Sequence, residues 1–208
     1  TRPGRFITLE GGEGAGKSTQ VQLLANSLAD RGIPVLRTRE PGGSPGSELL
    51  RDLLLSGSVA WSPRAETLLH FAARAEHVAR TIGPALEAGM WVICDRFYDS
   101  TMAYQGFGQG ADRGLIAAQI GLLGLHPDRT LVLQVNPSIA AARLRGRGAE
   151  ADRYEREDKA FHTRVAEGFR AIAQAEPVRC RVIDADGTPA EVQSLLVSAI
   201  ADMLTPDS

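Results

Sequence analysis

Cysteine, lysine and aromatic residues are scarce in this chain of 208 residues. It contains two cysteines and two lysines, and 5% of its residues are aromatic. Two cysteines cannot build the disulfide framework of a small secreted domain. Cys94 lies within an apolar run, which predicts a buried, inert thiol rather than a reactive one. We therefore expect a protein of a reducing compartment that depends on a hydrophobic core.

Long apolar runs and a strong net charge are also absent. No uninterrupted apolar stretch reaches about 18 residues, the length that would indicate a transmembrane helix. The first residues lead directly into a strand-like run, which leaves no room for a signal peptide. The formal net charge of −2 gives no global attraction to nucleic acid or to an anionic membrane. These features predict a cytoplasmic protein that binds neither.

Short β-type runs alternate with helical segments along the whole chain. The runs are Arg5–Leu9, Val35–Arg39, Trp91–Cys94, Thr130–Val135 and Arg181–Asp184. The helical candidates are Lys17–Asp30, Ser47–Leu55, Arg64–Ile82, Leu115–Leu123, Ser138–Leu144, Asp158–Ala175 and Pro189–Leu204. This alternation predicts a five-stranded parallel sheet with helices on both faces and ligands at the carboxyl ends of the strands. Because the sequence contains no linker-like segment and no internal repeat, we expect residues 1–208 to form one α/β domain.

Three irregular segments rich in glycine or polar residues interrupt this alternation. They are Pro41–Gly46, Gly106–Gly114 and Arg145–Asp152. In a parallel α/β domain such loops carry function, because a rigid sheet holds their ends while their tips move.

The stretch between the first run and the first helix matches the phosphate-binding pattern G-x-x-x-x-G-K-[ST]. Its glycines let backbone N–H groups approach a polyphosphate, Lys17 can reach the β and γ oxygens, and the Ser18 hydroxyl can bind Mg²⁺. A chance glycine-rich turn is the alternative, but the strand before it and the helix after it are the context that the motif requires. The predicted ATP-binding residues are Gly11, Gly12, Glu13, Gly14, Ala15, Gly16, Lys17, Ser18 and Thr19.

Asp95 and Arg96 directly follow the third run. An Asp at a strand end beside a phosphate loop helps to hold Mg²⁺. The planar guanidinium of Arg96 suits a bidentate contact with the phosphate that accepts the transferred group. In the alternative interpretation, Asp95 caps the following helix and Arg96 is a surface residue.

Three further arginines lie where a second substrate would bind. Arg39 ends the second run, Arg51 lies on the next predicted helix, and Arg74 lies on the long predicted helix. Each of them alone is typical of a solvated surface charge. Because they flank strand ends at the edge of the phosphate loop, we expect them to line the site.

Residues 143–157 contain five arginines, namely Arg143, Arg145, Arg147, Arg153 and Arg156. Nearby acidic residues balance their charge, which argues against a nucleic-acid patch. A lid that brings arginines onto the ATP phosphates explains the glycines and the mixed charge. A solvated helix end with ion pairs is the alternative.

Over essentially its whole length the chain resembles the bacterial thymidylate kinases, which are P-loop nucleoside monophosphate kinases. The stretches that carry the resemblance are Leu9–Thr19, Thr38–Gly43, Phe71–Arg74, Asp95–Phe97, Ala103–Gly106 and Asp152–Glu155. The phosphate loop is shared by many enzymes, whereas Thr-Arg-Glu-Pro-Gly-Gly, Asp-Arg-Phe and Ala-Tyr-Gln-Gly in this order are specific to this family.

The resemblance implies transfer of the γ-phosphoryl group of ATP to dTMP, with Mg²⁺, in a homodimer. Catalysis would then involve Lys17, Arg96 and the lid arginines Arg147 and Arg153, and Ser18 and Asp95 would hold the metal. Glu13 would hold the 3′-hydroxyl of the deoxyribose and Arg74 would read thymine. The residues expected to bind dTMP are Glu13, Arg39, Glu40, Pro41, Arg51, His70, Phe71, Arg74, Arg96, Thr101 and Gln105.

The sequence departs from the family at the position of the base-stacking ring. Many members place a Phe four residues before the arginine that reads thymine, where this chain has His70. Phe71 lies three residues before Arg74, and both offsets share a helix face with it. We expect Phe71 to stack on the base.

The implied mechanism is an in-line phosphoryl transfer that depends on alignment and charge neutralisation. No general base is needed, since the acceptor phosphate is already an anion at neutral pH. The rivals are another nucleoside monophosphate kinase, a GTPase-type switch and an inactive nucleotide-binding module. The GTPase is disfavoured because neither asparagine of the chain is followed by lysine. Apolar residues on Arg64–Ile82 or Leu115–Leu123 are candidates for the dimer face.

Overall fold

The computed structural model describes residues 4–146 and 153–204. Five parallel strands form one sheet in the order β2-β3-β1-β4-β5. They are β1 (Phe6–Glu10), β2 (Val35–Arg39), β3 (Trp91–Asp95), β4 (Arg129–Gln134) and β5 (Cys180–Asp184). The predicted five-stranded parallel sheet is confirmed, with every predicted strand within one residue of its observed limits.

Helices connect the strands and lie on both faces of the sheet. The described ranges hold α1 (Lys17–Ala29), α2 (Pro45–Leu55), α3 (Pro63–His77), α4 (Gly83–Glu87), α5 (Tyr98–Thr101), α6 (Arg113–Leu123), α7 (Pro137–Gly146), α8 (Lys159–Ala175), α9 (Pro189–Ala199) and α10 (Ala201–Leu204). Two segments of π-helix, Val78–Ile82 and Met102–Gly108, continue α3 and α5.

The central strands are buried on both faces, and alternate residues of each enter different layers of the core. In β1, Ile7 and Leu9 pack with α1 and α9, whereas Phe6 belongs to the cluster on the opposite face. β3 behaves in the same way, with Trp91 and Ile93 on one face and Val92 on the other. This period of two in a continuous apolar run is what a strand covered on both sides requires.

Several helix limits differ from the sequence expectation. The candidate Arg64–Ile82 ends its α-helical part at His77 and continues as π-helix, and the candidate Pro189–Leu204 is interrupted at Ile200. The candidate starting at Asp158 begins one residue later, because the Asp158 side chain accepts a hydrogen bond from the Phe161 N–H and caps the helix.

The prediction of loops was wrong at three places. Pro45 and Gly46 open α2 behind the N-cap Ser44, and Arg145 and Gly146 end α7. The predicted loop Gly106–Gly114 begins in π-helix and ends in α6. Tertiary packing overrides glycine's poor propensity here, since Gly108 lies against the Phe161 ring of α8, where a Cβ would come within 2.5 Å of it.

The prediction for Cys94 is confirmed, since both cysteines are free and buried. In the ranges that the structure describes, none of the helices has both the length and the apolar character needed to cross a membrane.

Candidate active site

The loop between β1 and α1 has the backbone shape that its glycines permit. Gly11, Gly14 and Gly16 have φ values of 139°, 72° and 88°, which disfavour any other residue. A Cβ on Gly11 would come within 2.5 Å of the Leu133 carbonyl oxygen. Gly16 is the N-cap of α1 and has no side chain to accept from the first-turn N–H groups. Those donors are therefore available to phosphate oxygens.

Lys17 lies over this loop and is almost completely buried. Its ammonium Nζ donates to the carbonyl oxygens of Gly11 and Gly12 at 3.1 and 2.9 Å. Burial lowers the pKa of Lys17, and the positive charge of Arg96 lowers it further. A single ammonium group at this point adds a positive charge to the helix N-terminus.

Ser18 and Asp95 meet at the carboxyl edge of two neighbouring strands. The Ser18 hydroxyl donates to Asp95 Oδ2 at 2.7 Å, which follows from the pairing of β1 with β3. The alternative in which Asp95 caps the next helix is wrong, because α5 has Phe97 as its N-cap and no side-chain cap.

Arg96 is held by four hydrogen bonds in a left-handed backbone conformation, with φ at 70°. Its Nη1 donates to the Gly11 carbonyl and to Ser100 Oγ, both at 3.0 Å. Its Nη2 donates to Glu13 Oε1 at 2.7 Å and to the Tyr104 hydroxyl at 3.1 Å. The side chain is 16% exposed, so the alternative of a solvated surface arginine is wrong.

Glu13 remains ionised because of this arginine. Burial alone would raise its pKa, but the charges of Arg96 and Lys17 outweigh burial and lower the pKa to about 2. The Tyr104 hydroxyl donates to the same Oε1 at 2.6 Å. The loop therefore presents a fixed carboxylate beside a fixed guanidinium.

Glu10 is a functional candidate that the sequence interpretation missed. It is completely buried, accepts from the Phe97 N–H at 2.7 Å and from Ser100 Oγ at 2.5 Å, and so holds the backbone around Arg96. Burial, followed by the charge of Asp99, raises the pKa of Glu10 to about 8. The one sequence signal for a role of Glu10 was its position directly before Gly11, within the stretch Leu9–Thr19 that carries the family resemblance.

Arg74 is buried beneath the loop after β2 and is 2% exposed. Its Nε donates to Glu40 Oε2 at 2.6 Å, and its Nη2 donates to Thr101 Oγ1 at 3.1 Å and to the Phe97 carbonyl at 3.2 Å. Its Nη1 is buried and has no hydrogen-bond partner among the described residues. A buried guanidinium N–H is costly to leave unpaired, so this donor indicates a ligand atom.

The loop after β2 contains a cis Glu40–Pro41 bond and is held by an ion pair and a hydrogen bond from two arginines. Arg39 pairs with Glu48 at 3.1 Å and is 49% exposed, and Arg51 Nη1 donates to the Pro41 carbonyl at 2.7 Å. Arg39 and Arg51 both line the cavity, so their charges lie where an anionic ligand could reach them.

Packing separates His70 from Phe71. His70 lines the cavity, whereas Phe71 is part of the core with the Arg74 guanidinium 4.8 Å above its ring. Phe71 therefore does not line the cavity in which it was expected to stack on a base, whereas His70 does. Burial, and next the charges of Arg74 and Arg153, lower the pKa of His70 to about 3.

Of the predicted lid arginines, Arg153 binds Glu66 on α3, with Nη2 to Oε2 at 2.7 Å. Arg147 lies outside the described residues. Arg143, the first of the five arginines in the predicted lid segment, donates to the Gly187 carbonyl at 3.0 Å and lines the cavity. Among the arginines of this segment that the structure describes, Arg143 alone lines this cavity, and the sequence signal for it was the arginine-rich composition of 143–157.

One cavity of about 570 Å³ joins these groups at the carboxyl edge of the sheet. All the predicted dTMP residues except Phe71 line it, as do residues 13–19 of the loop. Tyr104 and Tyr154 also line it; in the sequence they belong to Ala103–Gly106 and Asp152–Glu155, two of the stretches that carry the family resemblance. A volume of this size at strand ends is typical of a small-molecule site.

Comparisons with known proteins agree with this geometry. The family model described as thymidylate kinase matches residues 9–196. The thymidylate kinase of Rhizorhabdus wittichii is 57% identical over 97% of this chain and 99% of its own, and that of Gluconobacter oxydans is 52% identical over 97% and 96%. The crystal structure of thymidylate kinase from Ehrlichia chaffeensis superposes with a TM-score of 0.80 at 36% identity, over 95% of this chain and 100% of that one.

Proposed function

The chain belongs to the thymidylate kinase family, so it transfers the γ-phosphoryl group of ATP to dTMP and forms dTDP, and we propose how its residues divide this work. The observation that carries the proposal is the single cavity with Lys17 and the loop amides at one end and Arg74 and Arg96 at the other. Two bound nucleotides would meet between these groups.

The glycine-rich loop holds the ATP phosphates. The N–H groups at the start of α1 and the Lys17 ammonium bind their oxygens, because both present positive charge with little exposure to water. Ser18 and Asp95 would hold Mg²⁺, and their hydroxyl and carboxylate oxygens are the ligands that this cation prefers. When bound, the cation neutralises charge on the phosphates.

The acceptor end holds dTMP. Arg96 and Arg39 bind its phosphate, with Arg51 nearby, and Glu13 accepts a hydrogen bond from the sugar hydroxyl. Arg74 donates its unpaired Nη1 to a thymine oxygen. No base removes a proton from the attacking phosphate, since this phosphate is an anion at neutral pH. Alignment of the two nucleotides and exclusion of water lower the barrier.

An acceptor panel tests the assignment. ADP release is measured with dTMP, dUMP, dCMP, dGMP and AMP at fixed ATP and Mg²⁺. We expect dTMP to be the best acceptor and dUMP the second, because one methyl group in a pocket gives discrimination of only about 10–200-fold. A different best acceptor would contradict the assignment.

We further propose one kinase domain over residues 1–208, with residues 143–157 as its lid and Arg147 as a phosphate ligand. Arg143 supports this assignment, since it lies at the cavity beside the loop from β5 to α9. Arg147→Ala should lower kcat, while Arg156→Ala, in the same segment, serves as the control.

We also propose that the protein forms a homodimer and is located in the cytoplasm. α3 and α6 contact each other and expose apolar residues, among them Leu68 at 44% and Leu122 at 82%. A second copy that covers this surface would remove it from water. Sedimentation should give a dimer at micromolar protein, and Leu122→Glu should shift it towards monomer. The free, buried cysteines suit a reducing compartment.

A further inference from the structure

Arg96 is fixed through its main chain as well as through its side chain. Its N–H donates to the Leu9 carbonyl at 2.9 Å, which continues the pairing of β1 with β3. Its carbonyl oxygen accepts from Cys94 Sγ at 3.0 Å, and the N–H of the next residue, Phe97, donates to Glu10 Oε1 at 2.7 Å. Both peptide groups beside the Arg96 Cα atom are therefore held by residues of β1 and β3.

Glu10 also holds the side chain of Arg96, through Ser100. Glu10 Oε2 lies 2.5 Å from Ser100 Oγ, and the same Oγ accepts from Arg96 Nη1 at 3.0 Å. A guanidinium group only donates, so Ser100 must offer it a lone pair. The contact between Glu10 and Ser100 forms whether the proton lies on the hydroxyl or on the carboxyl group, since either oxygen can accept. One carboxyl group thus supports both the main chain and the side chain of Arg96.

The short helix α5, which carries Ser100, has a separate anchor. Asp99, also on α5, accepts from Arg179 Nη1 at 2.6 Å and from Arg179 Nη2 at 3.1 Å. Arg179 directly precedes β5, so this buried ion pair ties α5 to another part of the fold. The loss of Glu10 should therefore release Arg96 while α5 stays in place.

The main chain of Arg96 requires such contacts because its φ of 70° lies in the left-handed region. A residue with a Cβ atom is strained there, and it returns to a negative φ when the contacts that enforce the strain are lost. Because φ sets the direction of the side chain relative to the preceding strand, this return would move the guanidinium. Glu10 is completely buried and does not line the cavity, so it acts on a ligand only through the residues that it holds.

We propose that Glu10 is a positioning residue for the acceptor phosphate: it keeps Arg96 in the left-handed conformation that directs its guanidinium into the cavity. The inference rests on the proposed function, because Arg96 is assigned there to the phosphate of dTMP. It requires that Glu10 affect the use of dTMP more than the use of ATP, and that this effect pass through Arg96.

The test compares Glu10→Ala with Glu10→Gln in steady-state kinetics. Alanine removes both acceptor oxygens, so KM for dTMP should rise about tenfold, which corresponds to about 1.4 kcal/mol, while KM for ATP changes by about twofold or less. The amide of Glu10→Gln keeps an oxygen for the Phe97 N–H and places an N–H donor beside Ser100. This conservative variant should return KM for dTMP to within about threefold of the parent value.

Thr8→Val is the matched control. Thr8 lies two residues before Glu10 on the same face of β1, is completely buried, and shares a hydrogen bond of 2.8 Å with Thr130. The substitution removes a buried hydrogen bond of the same strand that does not involve Arg96. It should lower stability and leave KM for dTMP unchanged. An equal rise of KM in Thr8→Val and Glu10→Ala would overturn the inference.

A double-mutant cycle with Arg96→Ala separates positioning from a general loss of structure. If Glu10 acts through Arg96, Glu10→Ala should cause no further fall in kcat/KM for dTMP once Arg96 has been replaced. Effects that add in the double variant would mean that Glu10 acts independently of Arg96, and they would overturn the inference.

The outcomes also separate the inference from the proposed function. If Arg96→Ala leaves KM for dTMP unchanged, the assignment of Arg96 to the acceptor phosphate fails. If Arg96→Ala raises KM and folded Glu10→Ala does not, the inference alone is overturned. If Glu10→Ala does not fold, Ser100→Ala decides in the same cycle with the same expected results, because it removes the oxygen through which Glu10 holds the guanidinium.

Discussion

The carboxylate of Glu13 and the guanidinium of Arg96 lie 2.7 Å apart across the active site. Glu13 belongs to the phosphate loop, and Arg96 follows β3. The pair therefore joins the phosphate loop, proposed to bind ATP, to the arginine proposed to bind the acceptor phosphate. Arg96 is the one non-glycine residue of the described ranges with a positive φ, and such backbone strain persists where surrounding contacts enforce it.

Arg96→Ala should impair use of dTMP more than use of ATP. The substitution removes the fork that we assign to the acceptor phosphate, so KM for dTMP should rise by at least about tenfold and kcat should fall. Steady-state kinetics with each substrate varied in turn measures both effects. Arg96→Lys, which keeps the charge but not the bidentate geometry, should be intermediate. Unchanged dTMP kinetics in the alanine variant would refute the assignment.

Glu13→Gln should make the protein less sensitive to acid. The folded pKa of Glu13, about 2, lies below the unfolded value of 4.5. Its contribution to stability is therefore fully present above pH 4.5 and is lost as the pH falls towards 2. Between pH 6 and 3 the parent protein should lose about 2 kcal/mol more of its free energy of unfolding than Glu13→Gln. Urea unfolding at a series of pH values measures this difference, and equal losses would be inconsistent with the ion pair.

Lys17→Ala should lower kcat by about 100-fold or more, because it removes a charged donor from the transferring phosphates. The ADP-release assay at saturating substrates measures the effect. Lys159→Ala is a matched control, since Lys159 is the other lysine and is exposed at the start of α8. Equal activity of both variants would argue against the phosphate role of Lys17.

His70→Phe should flatten the decline in stability below neutral pH. The pKa of His70 is lowered from 6.5 to about 3 by burial and by Arg74 and Arg153. The unfolded chain therefore binds a proton that the folded protein does not, and the His70 contribution is lost as the pH falls below 6.5. By pH 5 this loss should be about 2 kcal/mol in the parent and absent in the variant. If the free energy of unfolding falls by the same amount in both proteins between pH 6.5 and 5, His70 is not buried as a neutral ring.

The phosphate loop and the sheet could be predicted because their signals are local. The glycine spacing, Lys17 and Ser18 are contiguous, and apolar runs of strand length alternate with helical periods. The meeting of Ser18 with Asp95 followed from one topological rule, that parallel strands place their carboxyl ends at one edge. These inferences needed no knowledge of side-chain packing.

The choice between His70 and Phe71 could not be predicted in this way. Both residues share a helix face with Arg74, so the 3.6-residue period does not distinguish them. The structure distinguishes them because α3 packs on the sheet with Phe71 against the core, which turns His70 to the cavity. The π-helical segments also escaped prediction, since a π-turn has no strong sequence signal.

By itself the sequence determined the fold class, the phosphate loop and the family resemblance, because these depend on spacing along the chain. Only the tertiary structure decided which charges meet: Arg96 with Glu13, Arg74 with Glu40, and Arg153 with Glu66. Each of these pairs joins residues at least 34 positions apart. Such pairs form where packing brings two elements together and burial makes an unpaired charge costly, and neither condition can be read from neighbouring residues.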